Sequence, residues 1–342
     1  MHGCLIDNRS SSGSGSVLRM RFRGLVHSPG WFEQGRLFPG CSGPEHPTRS
    51  SPRSAQVGRI DLPRQCHTAR GAPRHDRDRP DGTGVKMERH MKIVVIGGTG
   101  LIGSQVVANL RSAGHEVLAA SPNTGVNTVT GEGLADSLKG ASVVVDVANA
   151  PSFADDAAMD FFVRAGRNLA AVEKAAGVTH HVALSVVGTE LLLDSGYFRA
   201  KLAQEQLIAS AGVPWTLVRA TQFFEFVGTI AGAAVIDGVA RVTSASIQPI
   251  ASADVAAKVA EAALAPPRNG MIEIAGPERL PMAELVKRHF DGIGESRKVI
   301  TDDTAPYFGV LLEDRWLTPT GDAWLSKRRY SDWLAAQPKR VA

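Results

Sequence analysis

Residues 91–103 read MKIVVIGGTGLIG, and the fold class follows from this stretch. Met91 to Ile96 is apolar and β-branched, the composition of a strand buried on both faces. Gly98, Gly100 and Gly103 meet the spacing G-x-G-x-x-G, while Gly97, Gly100 and Gly103 meet G-x-x-G-x-x-G. Helical periodicity begins at Leu101 and continues through Val106, Val107 and Leu110. Strand, glycine turn and helix in this order separate a dinucleotide site from a chance cluster of glycines. Such glycines permit a tight turn, close approach of backbone to a pyrophosphate, and close packing of helix on strand. A helix starting at Leu101 also directs free N–H groups and its positive dipole end toward phosphates.

The ninety residues before this run differ from it in kind. Residues 1–90 hold 15 of the 38 Lys and Arg but only 8 of the 34 Asp and Glu, a net of +7, and residues 91–342 carry −3. The basic character belongs to the leader, so it supports no nucleic-acid role for the body. Stretches such as SSSGSGS at 10–16 and RGAPRHDRDRPDGTG at 70–84 have no sustained periodicity. They bury too little apolar surface to offset chain entropy, and residues 1–90 are expected to be a disordered leader. An Arg-rich targeting or nucleic-acid arm is the functional reading of that leader. A translated upstream stretch, with synthesis starting at Met91 or Met87, is the plainer one and is favoured. All three cysteines, Cys4, Cys41 and Cys66, lie in it, so the body has no disulfide framework and no thiol nucleophile. Cys66 and His67 are adjacent, without the separation that zinc sites use, and no metal is assigned. The Met1 end lacks the apolar core of a signal peptide, and no stretch approaches the ~18 apolar residues of a membrane span. The expectation is a cytoplasmic protein with a small-molecule substrate, no nucleic-acid partner, no membrane, and an open oligomeric state.

From Met91 onward, strands and helices alternate, which implies a mainly parallel sheet covered on both faces. The spacing predicts strands at 92–96, 116–120, 142–147, 180–185 and 215–219. Helices are expected at about 101–113, 133–138, 155–176 and 197–211. Beyond strand five the alternation weakens. Helices are expected at about 222–236, 252–264 and 282–290, with a strand at 271–274. The fold class is therefore α/β, a Rossmann-type doubly wound sheet spanning 91–342. A smaller substrate-side lobe is drawn mainly from 221–342.

The residues that carry chemistry follow the strand ends. An acidic residue about twenty positions after the glycine turn binds the ribose hydroxyls in NAD-type sites. Here the second strand ends in Ser121, Pro122, Asn123 and Thr124, with no carboxylate to repel a 2′-phosphate and no Arg to pair with it. Ser121, Asn123 and Thr124 can donate hydrogen bonds there, so NADP is favoured over NAD. Farther along, Tyr197-x-x-x-Lys201 places a phenol and an ammonium on one helix face, and Ser185 ends the fourth strand. A nearby Lys lowers a tyrosine's pKa and lets the phenol act as acid or base. Taken alone, this spacing is common on solvated helix faces. His180 and His181 face opposite sides of a strand, one expected in the core and the other on the surface.

The body resembles the short-chain dehydrogenase/reductase superfamily, specifically its atypical branch with NmrA-like and quinone-reductase-like members. The stretches that carry the likeness are VVIGGTGLIGSQVV at 94–107, NLAAVEKAAGVTHHVALSVVG at 168–188, SGYFRAKLAQEQLIASAGVPWTLVRATQFFEF at 195–226 and QPIASADVAAKVAEAAL at 248–264. The resemblance implies that Tyr197 is the acid/base, Lys201 binds the nicotinamide ribose and Ser185 orients the substrate. It implies that Gly97, Gly98, Thr99, Gly100, Leu101, Ile102 and Gly103 lie along the cofactor phosphates. Thr221, Gln222, Phe223 and Phe224 would line the substrate pocket with aromatic walls. The helix asparagine that completes the usual tetrad has no matching residue here, and Asn168 lies near that position. The reading is an NAD(P)H-dependent oxidoreductase of a small carbonyl or quinone-like substrate, with Tyr197 as proton donor. The alternatives are a non-catalytic NAD(P)-sensing regulator of the NmrA type and a nucleotide-sugar epimerase or dehydratase.

Overall fold

The computed structural model describes residues 90–338. The expectations for the leader, its cysteines and the start of synthesis lie outside the described residues. The chain opens with β1 (Lys92–Ile96), α1 (Leu101–Ser112), β2 (Glu116–Ala120), α2 (Leu134–Leu138) and β3 (Val143–Asp146). It continues through α3 (Asp155–Ala176), β4 (His180–Val186), α4 (Gly196–Ser210) and β5 (Trp215–Ala220). Then follow α5 (Val227–Ala233), β6 (Val235–Ile236), β7 (Val239–Val242), β8 (Ser246–Ile247), α6 (Ser252–Leu264), β9 (Gly270–Ala275) and β10 (Leu280–Pro281). The described chain ends with α7 (Met282–Gly292), β11 (Val299–Thr301), β12 (Ala323–Leu325) and α8 (Tyr330–Ala335).

Seven strands form one parallel sheet in the order β2-β1-β3-β4-β5-β9-β12. The order reverses between β1 and β3, and the crevice outside the carboxyl ends of strands at such a switch point is where open α/β sheets bind ligands. The glycine turn leaves β1 at that point. One face of the sheet is closed by α1 and α6, whose Ile102, Val106, Leu110, Val255 and Val259 meet Ile93, Val95, Val143 and Val182. On the other face, α2 and α3 bring Leu134, Leu138 and Leu169 against Val94, Ile96 and Val144. Each such side chain contributes about 1.5–3 kcal/mol on full burial. This two-sided coverage explains why β1 reads as a continuous apolar run.

The same coverage overturns the expectation that one of the paired histidines lies on the surface. β4 is a central strand, and both His180 and His181 are 3% exposed. They do face opposite sides. The His180 ring meets the Thr216 hydroxyl at 2.9 Å, and His181 Nδ1 meets Glu173 Oε1 of α3 at 2.6 Å.

The helix expected over 222–236 is also corrected. Gln222 and Phe223 are extended, with Phe223 bridging Ile250, and a short 3-10 turn at Phe224–Phe226 leads into a seven-residue α5. A β6–β7 hairpin then closes through Asp237 and Gly238, both at positive φ (49° and 80°). Asp-Gly between apolar residues is a strong hairpin signal, because the two-residue turn needs positive φ at both positions.

Beyond Thr221 the chain divides its work. α6, β9 and β12 complete the large sheet, while α5, α7, α8 and the short strands between them build a second apolar cluster. Phe224, Val227, Leu285, Val286, Tyr307 and Tyr330 form its center. Arg219 of β5 binds Glu205 of α4 bidentately, at 3.0 and 2.6 Å, and reaches Glu190 at 2.7 Å. Removing one partner of such a buried pair costs about 3–5 kcal/mol, so α4 is pinned firmly over β4 and β5. That pinning fixes the helix that carries Tyr197 and Lys201.

Candidate active site

The glycine turn is built from unequal glycines. Gly97 holds φ +76°, and a Cβ there would stand 2.9 Å from Ala148 backbone. A Cβ on Gly98 would press on Ala119 and the Val95 carbonyl, and one on Gly103 would overlap the Gly97 carbonyl. These three glycines are demanded by the fold itself. Gly100 differs: it is exposed, and its nearest obstacle would be the Gly97 carbonyl at 3.3 Å. It caps α1 without any side-chain hydrogen bond, and the first turn carries no acidic residue. Free N–H groups at an uncapped helix start, behind a residue whose missing side chain serves no internal contact, fit a pyrophosphate. Thr99 and Leu101 are exposed beside it, whereas the Ile102 side chain is buried in the sheet core and only its backbone faces the turn.

At the end of β2, Ser121 and Thr124 form a capping box around the Pro122–Thr124 turn. The Thr124 hydroxyl lies 3.0 Å from the carbonyls of Ala119 and Ser121 and accepts from the Ser121 N–H at 2.8 Å. It is therefore committed to the turn. Asn123 is exposed, and Ser121 is buried at the strand end. No carboxylate is present in this turn.

Tyr197 lies in the first turn of α4, the helix that follows β4, and Ser185 lies near the end of β4 itself. The Tyr197 phenol donates to Asn149 Oδ1, just beyond β3, at 3.1 Å. Its ring is boxed edge-on by Phe153, Phe162 and Phe198 at 5.1, 6.2 and 5.5 Å. Burial pushes the phenol up to about 12, opposite to the lowering expected from a neighboring ammonium. The reason is geometric. Lys201 Nζ donates to the Leu184 carbonyl at 3.0 Å and to Gln204 Oε1 at 2.5 Å, and lies 4.6 Å from the center of the Phe162 ring. Gln204 in turn donates to Asp146 at 2.8 Å. Burial lowers the ammonium to about 8, against the opposing pull of Asp146 and Glu205. Two of its three N–H groups are engaged. The Ser185 hydroxyl is buried with no hydrogen-bond partner.

The structure treats the four residues after β5 unlike a simple aromatic wall. Thr221 donates to the Gln248 carbonyl at 2.6 Å, and Phe223 packs toward the α1/α6 side of the sheet. Phe224 is core, set against Tyr330 and Trp333 at 5.3 and 5.7 Å. Gln222 alone keeps a buried oxygen without a partner. Asn168 donates to the carbonyls of Thr128 and Val129 and is structural. Sequence reasoning missed Asn149, Phe153, Asp146 and Gln204. Position at the carboxyl end of β3, beside the switch point, was the available signal for the first three.

Residues 93–195 match the family described as NAD dependent epimerase/dehydratase. A (4-alkanoyl-5-oxo-2,5-dihydrofuran-3-yl)methyl phosphate reductase of Streptomyces griseus is 34% identical over 144 residues. That match covers 38% of this chain and 48% of the relative, so the chain spans about half the length of the curated relative. Among solved structures, the Bordetella bronchiseptica enzyme WbmH in complex with NAD+ superposes with a TM-score of 0.55 at 16% identity, over 72% of this chain and 96% of that one. The dTDP-4-dehydrorhamnose reductase of Bacillus anthracis, in complex with NADP, gives 0.53 at 14% identity, over 72% and 97%. At such identities the superpositions speak for the fold alone. The glycine turn, the parallel sheet and the matched segment agree: the chain has a Rossmann-type α/β fold, and its residues 93–195 are similar to the NAD dependent epimerase/dehydratase family.

Proposed function

We propose that this protein is an NAD(P)H-dependent reductase of a small carbonyl compound, with Tyr197 as the proton donor. The observation that carries the reading is the Tyr197 phenol, raised to about 12 by burial, boxed by aromatic rings and donating to Asn149 just beyond β3, with the buried, unpartnered Ser185 hydroxyl near the end of the adjacent β4. A phenol in that range keeps its proton at neutral pH and suits the reductive direction, in which a proton must be given. The dinucleotide, when bound, supplies the hydride. Gly97 to Gly103 would hold its pyrophosphate, and Lys201, with one N–H still free, its ribose. Ser121 and Asn123 would meet the adenosine end, where the missing carboxylate favours NADP. Ser185 would donate to the substrate oxygen and orient the carbonyl. As the carbonyl carbon gains hydride, its oxygen takes the Tyr197 proton, which gives the alcohol and leaves a phenolate that solvent reprotonates. Asn149 holds the phenol in place beforehand. The reductase among the relatives is named for a dihydrofuran methyl phosphate that bears alkanoyl and oxo groups, which agrees with a substrate that contains a carbonyl group.

The expected result for Tyr197→Phe is a loss of turnover of about 10²–10⁴-fold, the usual share of general acid catalysis. Dinucleotide affinity should stay within about twofold, since the hydroxyl contacts Asn149 rather than the glycine turn. Steady-state rates with a carbonyl panel, alongside a nucleotide titration, check both. Full turnover in Tyr197→Phe would sink the mechanism. The epimerase/dehydratase reading uses the same Tyr–Lys pair and is favoured by the family description of residues 93–195. Turnover of a nucleotide sugar without net nucleotide oxidation would select it.

A further inference from the structure

Two buried polar atoms stand without partners at the carboxyl ends of adjacent strands. Ser185, 3% exposed, lies one residue inside the last register pair of β4 and β5, Val186 with Ala220. Gln222, 7% exposed, lies two residues beyond that pair, with Oε1 unpaired. Neighboring strands lie about 4.8 Å apart, so both polar groups stand at the carboxyl edge of the sheet where β4 and β5 run side by side. Buried polar groups ordinarily have partners, and each exception calls for one.

A second phenol joins them from far along the chain. Tyr307 is buried in the apolar cluster against which Tyr197 packs, and the Gln222 side chain lies against its phenol. It is presented by a tight turn in which Tyr307 and Val310 exchange both backbone hydrogen bonds, at 2.8 and 3.1 Å. The central residues, Phe308 and Gly309, both have positive φ, 46° and 89°. A bulky residue at positive φ is strained and persists only where its surroundings over-determine it. Phe308 stacks on Phe226 at 5.6 Å and meets Tyr307 edge-on at 4.9 Å. The turn is thereby anchored, and the anchoring holds Tyr307 beside Gln222 and Tyr197. Phe308, 49% exposed, and Phe153, 59% exposed against Tyr197, leave aromatic surface free on the two phenol-bearing sides.

We infer that the crevice takes a carbonyl substrate with a second oxygen function nearby, the first oxygen met by Ser185 and Tyr197 and the second by Tyr307 and Gln222. Tyr307 is then a substrate-binding, specificity-determining residue. This rests on the carbonyl-reductase reading above, and the test separates the two. The full chain, saturated with NADP+, is titrated calorimetrically with acetylacetone, which has the second oxygen, and with 2-pentanone, which lacks it. Acetylacetone should bind about tenfold more tightly, the return on one or two neutral hydrogen bonds. Tyr307→Phe and Gln222→Leu should each shrink that gap to about twofold, with melting curves showing that both variants fold. Equal binding of the two probes, no binding of either, or an unshrunk gap in both variants overturns the inference while leaving the reductase standing. Absence of nucleotide binding overturns the reductase reading itself.

Discussion

His180 shows how burial alone sets a charge state. Its folded-state pKa is pushed down to about 4, first by burial and then by the neighboring His181, while an unfolded histidine titrates near 6.5. Between these values the unfolded chain binds more protons, so stability falls as pH drops from about 6.5 toward 4, by about 3 kcal/mol at most. His181 behaves in the opposite sense. Burial works against its charge, but Glu173 and then Asp146 outweigh burial and raise its pKa. Its contribution is complete below about 6.5 and is lost as pH rises through the raised value. In urea unfolding, His180→Gln should therefore flatten the decline between pH 6.5 and 4.5 relative to the parent, and parallel curves would refute this account. The alternation of the two rings was legible in HHVALSV, because side chains on a strand alternate. Their shared burial was not, because it depends on α3 covering one face of β4 and on packing against the other, which no local pattern states.

The glycine turn carries two kinds of constraint that the spacing alone merges. Gly103 is closed by the Gly97 carbonyl, so Gly103→Ala must displace backbone at the α1–β1 contact. Overpacking of this kind costs about 1–3 kcal/mol, read as a lowered melting temperature without any nucleotide. Gly100 has ordinary φ (−79°) and a single close neighbor, the Gly97 carbonyl at 3.3 Å, so Gly100→Ala should change stability by no more than about 1 kcal/mol. Its added methyl would instead stand where phosphate must approach, weakening dinucleotide binding at least about tenfold. Equal binding by Gly100→Ala and the parent would remove the phosphate from that position. Elements of this length were readable: α3 at 155–176 and α6 at 252–264 fall where their apolar spacing put them. The short strands were not. β11 owes its existence to β7, Val299 pairing with Ala240, and a partner nearly sixty positions away leaves no trace in three residues. The β6–β7 hairpin is different, since Asp237-Gly238 announced it and the helical periodicity of 227–231 concealed it.

Across the whole molecule, the crevice assembles from parts that the sequence holds far apart. Gly100, Ser121, Asn149 and Gln222 follow strands, Ser185 lies near the end of one and Tyr197 lies in the first turn of a helix, and the parallel order sends all these ends to one side of the sheet. That much was legible from alternation. The arrival of Tyr307 beside Gln222 was not, because it depends on the second apolar cluster folding the C-terminal third back over β4 and β5. A site distributed in this way should report ligand through the stability of the entire fold. A nucleotide that binds only the folded state adds about 2.7 kcal/mol at a hundred times its dissociation constant. For a domain of this size, each kcal/mol moves the melting temperature by about 2–4 °C, so a shift of about 5–10 °C is expected with saturating dinucleotide. The β2 end offers no carboxylate to hold the ribose hydroxyls or to repel a 2′-phosphate, and Thr124 is committed to its own turn. NADPH should therefore stabilize the full chain at least as strongly as NADH at equal concentration. A larger shift with NADH would mean that the ribose finds its partner elsewhere and that the NADP preference drawn from Ser121 and Asn123 is wrong.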